Sequence, residues 1–207
     1  TLTKFNKNDQ PTEVAVTVPE RFNIRRGNYT GSSIGGFEIG SDNCIIAFSQ
    51  DISKTNKNRN VYLTVTDTSF YRTKKVPLTV YTENDNITCG TPELVKISEN
   101  LFLVMWEETN KSTNEVTTKG MTVDAKGQTV SSAKTLTARL SDCQPILCSD
   151  NLVKWYVTDN NGTTLYSLNP YYIESLHEHK YTSKVTKEPT CKETGIRTYT
   201  CECGDTY

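Results

Sequence analysis

Histidine is absent from residues 1 to 176; both copies, His177 and His179, lie near the C-terminal end. That excludes a Ser-His-Asp or Cys-His catalytic arrangement within the first 176 residues. Long apolar runs are also missing. LFLVMW at 101 to 106 falls far short of the about 20 residues that a membrane-spanning helix needs. The N-terminal TLTKFNKNDQ has no apolar stretch of the signal-peptide kind. No block of like charge stands out. With 23 basic and 24 acidic residues the net charge is −1, which argues against nucleic acid or an anionic membrane as the main partner. No segment has the periodicity of an amphipathic helix three turns long.

What is present is strand-and-turn composition: abundant Thr, Asn and Ser, and 11 Tyr. Strand-like runs recur between polar clusters, among them EVAVTV (13–18), NCIIAFS (43–49), NVYLTVTD (60–67), NLFLVMW (100–106), KGMTVD (119–124), NLVKWYVT (151–158) and TTLYSL (163–168). The pattern also repeats. Ser41-Asp42-Asn43, Ser98-Glu99-Asn100 and Ser149-Asp150-Asn151 each stand before a strongly apolar strand, 57 residues apart (43 to 100) and then 51 (100 to 151). GGFEIG, TPELVKI and QPILC lead in, the last two with a proline, Pro92 and Pro145, where a strand tolerates a missing N–H.

A helix-free, four-stranded unit of roughly 50 residues is the pattern of a β-propeller blade. One blade cannot cover both of its faces, so blades stack on one another. The expected fold is therefore all-β, with propeller-like repeats of four-stranded antiparallel blades over residues 1–170, about three of them. A linker is expected at 171–176 and a small Cys-rich module at 177–207. Trp106 and Trp155 occupy nearly equivalent places and are expected in the inter-blade core. Phe5 to Gln10 parallels Val123 to Gln128, so the N-terminal segment reads as the second hairpin of a blade. The third copy stops after its third strand, near Leu168. Closed propellers have at least four blades, so a partial or open array is expected. A sandwich is the alternative all-β arrangement.

Without histidine, catalysis in residues 1–176 would rest on a carboxylate pair, as in glycosidases. Glu38, Asp42, Asp51, Glu93, Glu107, Glu108, Asp142 and Asp159 are the candidates, with Glu93 and Asp142 at the mouths of inner strands. Spacing selects no pair, and no catalytic residue is assigned. VDAKGQTV and TDNNGTTL are partly similar to the Asp-box of sialidase-like propellers but carry an extra residue and lack its Trp. Asp124, Gly127, Asp159 and Gly162 therefore read as hairpin residues. Glycosylation sequons fall at Asn28, Asn86, Asn110 and Asn161. The glycines at 31 to 40 form no nucleotide-binding loop. Cys44, Cys89, Cys143 and Cys148 read as buried free thiols. Along an extended strand Cys143 and Cys148 would be roughly 17 Å apart, too far for a disulfide.

The last segment, HKYTSKVTKEPTCKETGIRTYTCECGDTY, carries His179, Tyr181, Val185, Pro189, Thr190, Cys191, Gly195, Tyr199, Cys201, Cys203, Gly204 and Tyr207 at fixed spacing. These positions resemble a Cys-rich repeat module of the PTCxxxGxxxYTCxxCGxxY type, found in secreted and cell-surface proteins of Gram-positive, largely gut-dwelling bacteria. The resemblance implies a location outside a Gram-positive cell and a spacer or attachment role. His179, Cys191, Cys201 and Cys203 are of the ligand types that a closed Cys3His zinc site uses, and so short a segment needs such a staple. A disulfide from Cys191 to Cys201 or Cys203, or free thiols, are the rivals. No cofactor is expected in residues 1–170. The combined expectation is a binding or scaffold platform for a carbohydrate or protein ligand. The alternatives are a glycan hydrolase with a carboxylate pair and a purely structural module.

Overall fold

The computed structural model describes residues 2–8, 10–15, 31–53, 55–68, 72–173, 181–189 and 194–201, with the backbone alone for 2–5, 11–15, 181 and 201. The described residues are all-β and divide into two units, Thr1–Glu174 and Ser175–Tyr207.

The first unit begins with a hairpin of β1 (Leu2–Phe5) and β2 (Pro11–Ala15). Three up-and-down antiparallel sheets follow. The first sheet is β3 (Ser32–Ile39), β4 (Asn43–Asp51), β5 (Arg59–Asp67) and β6 (Thr73–Pro77), in that order. The second holds β7 (Ile87–Cys89), β8 (Glu93–Ser98), β9 (Leu101–Asn110), β10 (Val116–Asp124) and β11 (Lys134–Leu136). Here β7 and β8 share one edge of β9, so they act as one inner strand interrupted at Gly90 to Pro92. The third sheet is β12 (Ile146–Leu147), β13 (Val153–Asp159) and β14 (Gly162–Leu168), which ends where the sequence pattern stops.

Alternation along β9 makes the second sheet two-faced. Phe102, Val104 and Trp106 pack with Ile45, Ala47, Val61 and Leu63 of the first sheet. Leu103 and Met105 pack with Val153 and Trp155 of the third. Both tryptophans are core residues, as expected. The first strands of the first two sheets approach one another closely. A Cβ on Gly35 would fall 1.5 Å from the Pro92 carbonyl oxygen, and one on Gly36 would fall 2.6 Å from Leu94 Cβ. These two glycines let the backbones of β3 and β8 meet.

The N-terminal hairpin turn matches the one expected from sequence. Asn6 N–H donates to the Gln10 carbonyl, and Asn6 Oδ1 accepts from the Asn8 and Gln10 N–H groups at 2.9 and 3.1 Å. After β10, Asp124 N–H donates to the Gln128 carbonyl and Asp124 Oδ1 accepts from Lys126 and Gln128, both at 2.8 Å. Gly127 takes φ +73° there. The TDNNGTTL turn joins β13 to β14, as expected for the hairpin that leads into the third strand of its copy.

Two expectations need correction. The turns at Ser41-Asp42-Asn43, Ser98-Glu99-Asn100 and Ser149-Asp150-Asn151 have different lengths: Ile39 pairs with Cys44, Ser98 with Leu101, and Leu147 with Val153. Ile45 and Ala47, at the same distance from their Asn as Phe102 and Val104, meet those residues instead of pointing the same way, so the first copy turns this face in the opposite direction. The expected linker is also partly core, since Ile173 is buried against the second and third sheets.

A polar network ties the segment after β6 to the first two sheets. Asn60 Oδ1 accepts from Thr79 Oγ1 (2.8 Å) and the Tyr81 N–H (2.9 Å), and Asn60 Nδ2 donates to the Tyr81 carbonyl (2.8 Å). Trp106 Nε1 donates to Glu108 Oε1 at 2.9 Å, and the Tyr81 hydroxyl bonds the same carboxylate. Glu108 is thus buried with its donors in place, as a buried acid must be.

The second unit is a hairpin of β15 (Tyr181–Lys187) and β16 (Ile196–Cys201). Tyr181 pairs with Cys201, so the chain toward His179 and the chain toward Cys203 leave from the same end. Cys191 belongs to the connection at the other end. His179, Cys191 and Cys203 lie outside the described residues, as does the side chain of Cys201.

Candidate functional site

The third sheet has three strands, against four in the first and five in the second, and β12 is only two residues long. It therefore cannot cover the outer part of the second sheet. A cleft of about 380 Å³ opens there, between β10, β11 and the segment following it, and Tyr166 of β14. It is shallow and wide open to solvent.

Leu136 gives it an apolar base and Tyr166 and Arg139 a rim. The Thr118 hydroxyl on this face donates to the Ala138 carbonyl at 2.5 Å. Tyr166 is held by stacking on Trp155, with ring centroids 5.4 Å apart and planes at 24°. Trp155 in turn donates its indole N–H to the Arg139 carbonyl at 2.8 Å. Arg139 Nε donates to Glu107 Oε1 at 2.7 Å, and the Leu140 N–H donates to the same oxygen at 3.0 Å. The bond and charge of Glu107 push the Arg139 guanidinium above its ordinary value, so it stays cationic. The pair leaves much of the Arg139 side chain open to solvent.

A second polar feature lies at the inner strands. Glu93 opens β8 on the face turned toward the third sheet, and burial pushes its carboxyl up to about 7, with the negative charge of Asp142 adding to the rise. The structure thus brings together the two carboxylates that the sequence placed at strand mouths. The other candidates are dispersed. Asp51 pairs with Arg59, Glu107 with Arg139, and Glu108 with Trp106. Burial raises the Glu38 carboxyl, while the Lys96 N–H and ammonium oppose the rise. Asp42 accepts from the Ser41 hydroxyl and Asp159 from the Asn161 N–H, both turn roles.

Cys44, Cys89, Cys143 and Cys148 are free thiols. Cys44 and Cys89 are buried as expected, but Cys143 and Cys148 are only half-buried, because they flank the two-residue β12 instead of lying along a long strand. Burial pushes the Cys89 thiol up to about 12. Asn86, Asn110 and Asn161 all stand at strand ends or turns, and Asn28 lies outside the described residues. Among the described residues no three His, Cys, Asp or Glu side chains converge as a metal site. Sequence reasoning did not find the cleft. Arg139 and Tyr166 stand apart in the chain, and only sheet stacking brings them to one rim.

The chain matches no family model, no curated protein and no solved structure.

Proposed function

We propose that residues 1–170 form a partial propeller-like array that serves as a binding platform for a carbohydrate. The three consecutive up-and-down sheets and the proximity of their inner strands support the array. The observation that carries the binding reading is the cleft, where the Tyr166 ring and a charge-paired Arg139 line one space. A sugar offers an apolar ring face for the aromatic and hydroxyls for the polar groups. No nucleic acid and no membrane insertion of this segment enter the reading. Titration of soluble polysaccharides and a glycan array test it. Arg139→Ala and Tyr166→Ala are expected to weaken retention at least about tenfold, a loss of about 1.4 kcal/mol. Retention unchanged by either variant, or no glycan retained, would overturn it.

Glu93 favours a second reading, glycan hydrolysis. A carboxyl that keeps its proton near neutrality suits a general acid, and Asp142 would be the companion carboxylate. Release of reducing ends that Glu93→Gln abolishes would support hydrolysis over binding alone.

The tail supports placement as a secreted or cell-surface protein of a Gram-positive bacterium, through its resemblance to Cys-rich repeats. Its structural zinc would use His179, Cys191, Cys201 and Cys203. The β15–β16 register requires the Cys191 segment to fold back along the hairpin for that set to close. Elemental analysis with thiol titration decides: no zinc, with fewer than three free tail thiols, removes the metal in favour of a disulfide.

A further inference from the structure

The edge strands of the three sheets are guarded against further pairing, with one exception. β3 carries a bulge and Glu38, β6 carries Lys74, Lys75 and Pro77, and β8 carries Glu93, Lys96 and a second bulge. β7, β11 and β12 are three residues long or shorter. β14 has none of these devices. Its seven residues, GTTLYSL, hold no charge and no proline, and its register runs without a bulge. An edge of this kind is a template for another strand unless something blunts or covers it.

The register shows which groups the edge offers. Asp159 and Gly162 flank a two-residue turn, so they exchange both of their backbone hydrogen bonds. The alternation repeats at Thr164, Tyr166 and Leu168, whose N–H and C=O groups turn toward β13. Those of Thr163, Leu165 and Ser167 turn away from it and have no backbone partner among the described residues. All three residues are exposed, Leu165 to 68%.

In the first two sheets the corresponding edge is occupied, by β6 along β5 and by β11 along β10. In the third sheet no described strand takes that place, and the cleft lies beside the free edge. We propose that the β14 edge binds an extended peptide segment as a fourth strand. A peptide backbone supplies donors and acceptors at the spacing of the free groups, which a sugar does not. Alternate side chains of the added strand meet Leu136 and the Tyr166 ring, so β-branched apolar residues at every second position fit. The chain's own TEVAVTV (12–18) has this chemistry, with valine at 14, 16 and 18. Its first part, β2, lies along β1 after a turn that matches the one following β10. The inference rests on the backbone of β14. An added strand and a glycan would compete for the cleft, so a failed glycan test leaves it standing.

Fluorescence anisotropy of a labelled synthetic peptide, PTEVAVTV, titrated with the full chain tests it. Saturable binding is expected below about one millimolar. N-methylation of every second peptide amide gives two forms. The form that loses the donors to β14 is expected to bind at least about tenfold more weakly, and the other to bind as the parent does. Leu165→Lys places a charge on the edge and is expected to weaken binding by a similar factor, with its thermal midpoint within a few degrees of the parent because the side chain is exposed. Amide exchange at Thr163, Leu165 and Ser167 is expected to slow when the peptide binds. Three results would overturn the proposal: no saturation up to about one millimolar, equal binding of the two methylated forms, or a chain already dimeric whose mass Leu165→Lys halves, which would give the edge to a second copy.

Discussion

The two faces of the second sheet are built from the same strands and end differently. Toward the first sheet, Phe102, Val104 and Trp106 meet long strands, and the core is sealed at its edge by Asn60, Tyr81 and Glu108. Toward the third sheet, Leu103 and Met105 are equally buried, but Tyr166, Val157 and Leu168 around them are only partly covered. The difference comes from the partner. A four-stranded neighbour closes the interface, whereas a three-stranded one with a two-residue inner strand leaves a cleft. One missing strand turns packing surface into a site.

The two tryptophans test that contrast most severely. Trp106→Ala leaves a large cavity in the sealed interface and removes a donor from buried Glu108, so a loss of about 4–5 kcal/mol is expected. Trp155→Ala opens onto an existing cleft where water enters, and about 2–3 kcal/mol is expected, toward the low end for such truncations. Urea unfolding of both variants measures this. Equal losses would show that the two interfaces are sealed alike.

Asn60→Ala probes the seal without touching the apolar core. It removes three hydrogen bonds and takes the oxygen acceptor from the buried Thr79 hydroxyl, which keeps the Val61 N–H as donor and the Cys89 sulfur beside it. A loss of about 2–3 kcal/mol is expected. The Cys89 thiol, inert in the folded chain, should become reactive to a disulfide reagent sooner than in the parent. Thiol-exchange kinetics that match the parent would mean the segment at 78–85 is held by something else.

Much of this arrangement was legible in the sequence, because its signals are local. Period-two apolarity gave the strands, Pro92 and Pro145 the strand starts, and the parallel between Phe5–Gln10 and Val123–Gln128 the two like turns, which share their hydrogen-bond pattern. The reversed faces of the first copy were not legible, since its apolar residues stand at the same distance from their Asn as those of the second. Nor was the cleft, which arises where a strand is absent and where Glu107 finds Arg139 32 positions away. Glu93 and Asp142 could be named as strand-mouth acids, but their mutual influence needs the second and third sheets in place. Ile173 looked like linker because a single apolar residue has no periodicity to betray it.

The two interfaces each hold an acid, and the acids sharpen the comparison at the smallest scale. Glu108 in the sealed interface accepts from Trp106 and Tyr81. Glu93 in the open one meets no hydrogen-bond donor among the described residues, and burial with the charge of Asp142 lifts it to about 7. An unfolded glutamate titrates near about 4.3. Between those values the folded chain holds a proton that the unfolded chain has released, so stability is greatest below about pH 4 and falls as pH rises toward 7. Partial exposure of Glu93 screens the effect to on the order of 1 kcal/mol. Glu93→Gln carries no charge to desolvate, so it should match the parent at pH 4.5 and exceed its stability by about that amount at pH 8. The comparison of urea midpoints at the two pH values reads the difference directly. Parallel pH profiles for variant and parent would mean that Glu93 ionises freely, and the open interface would then be wet as far as its inner strands.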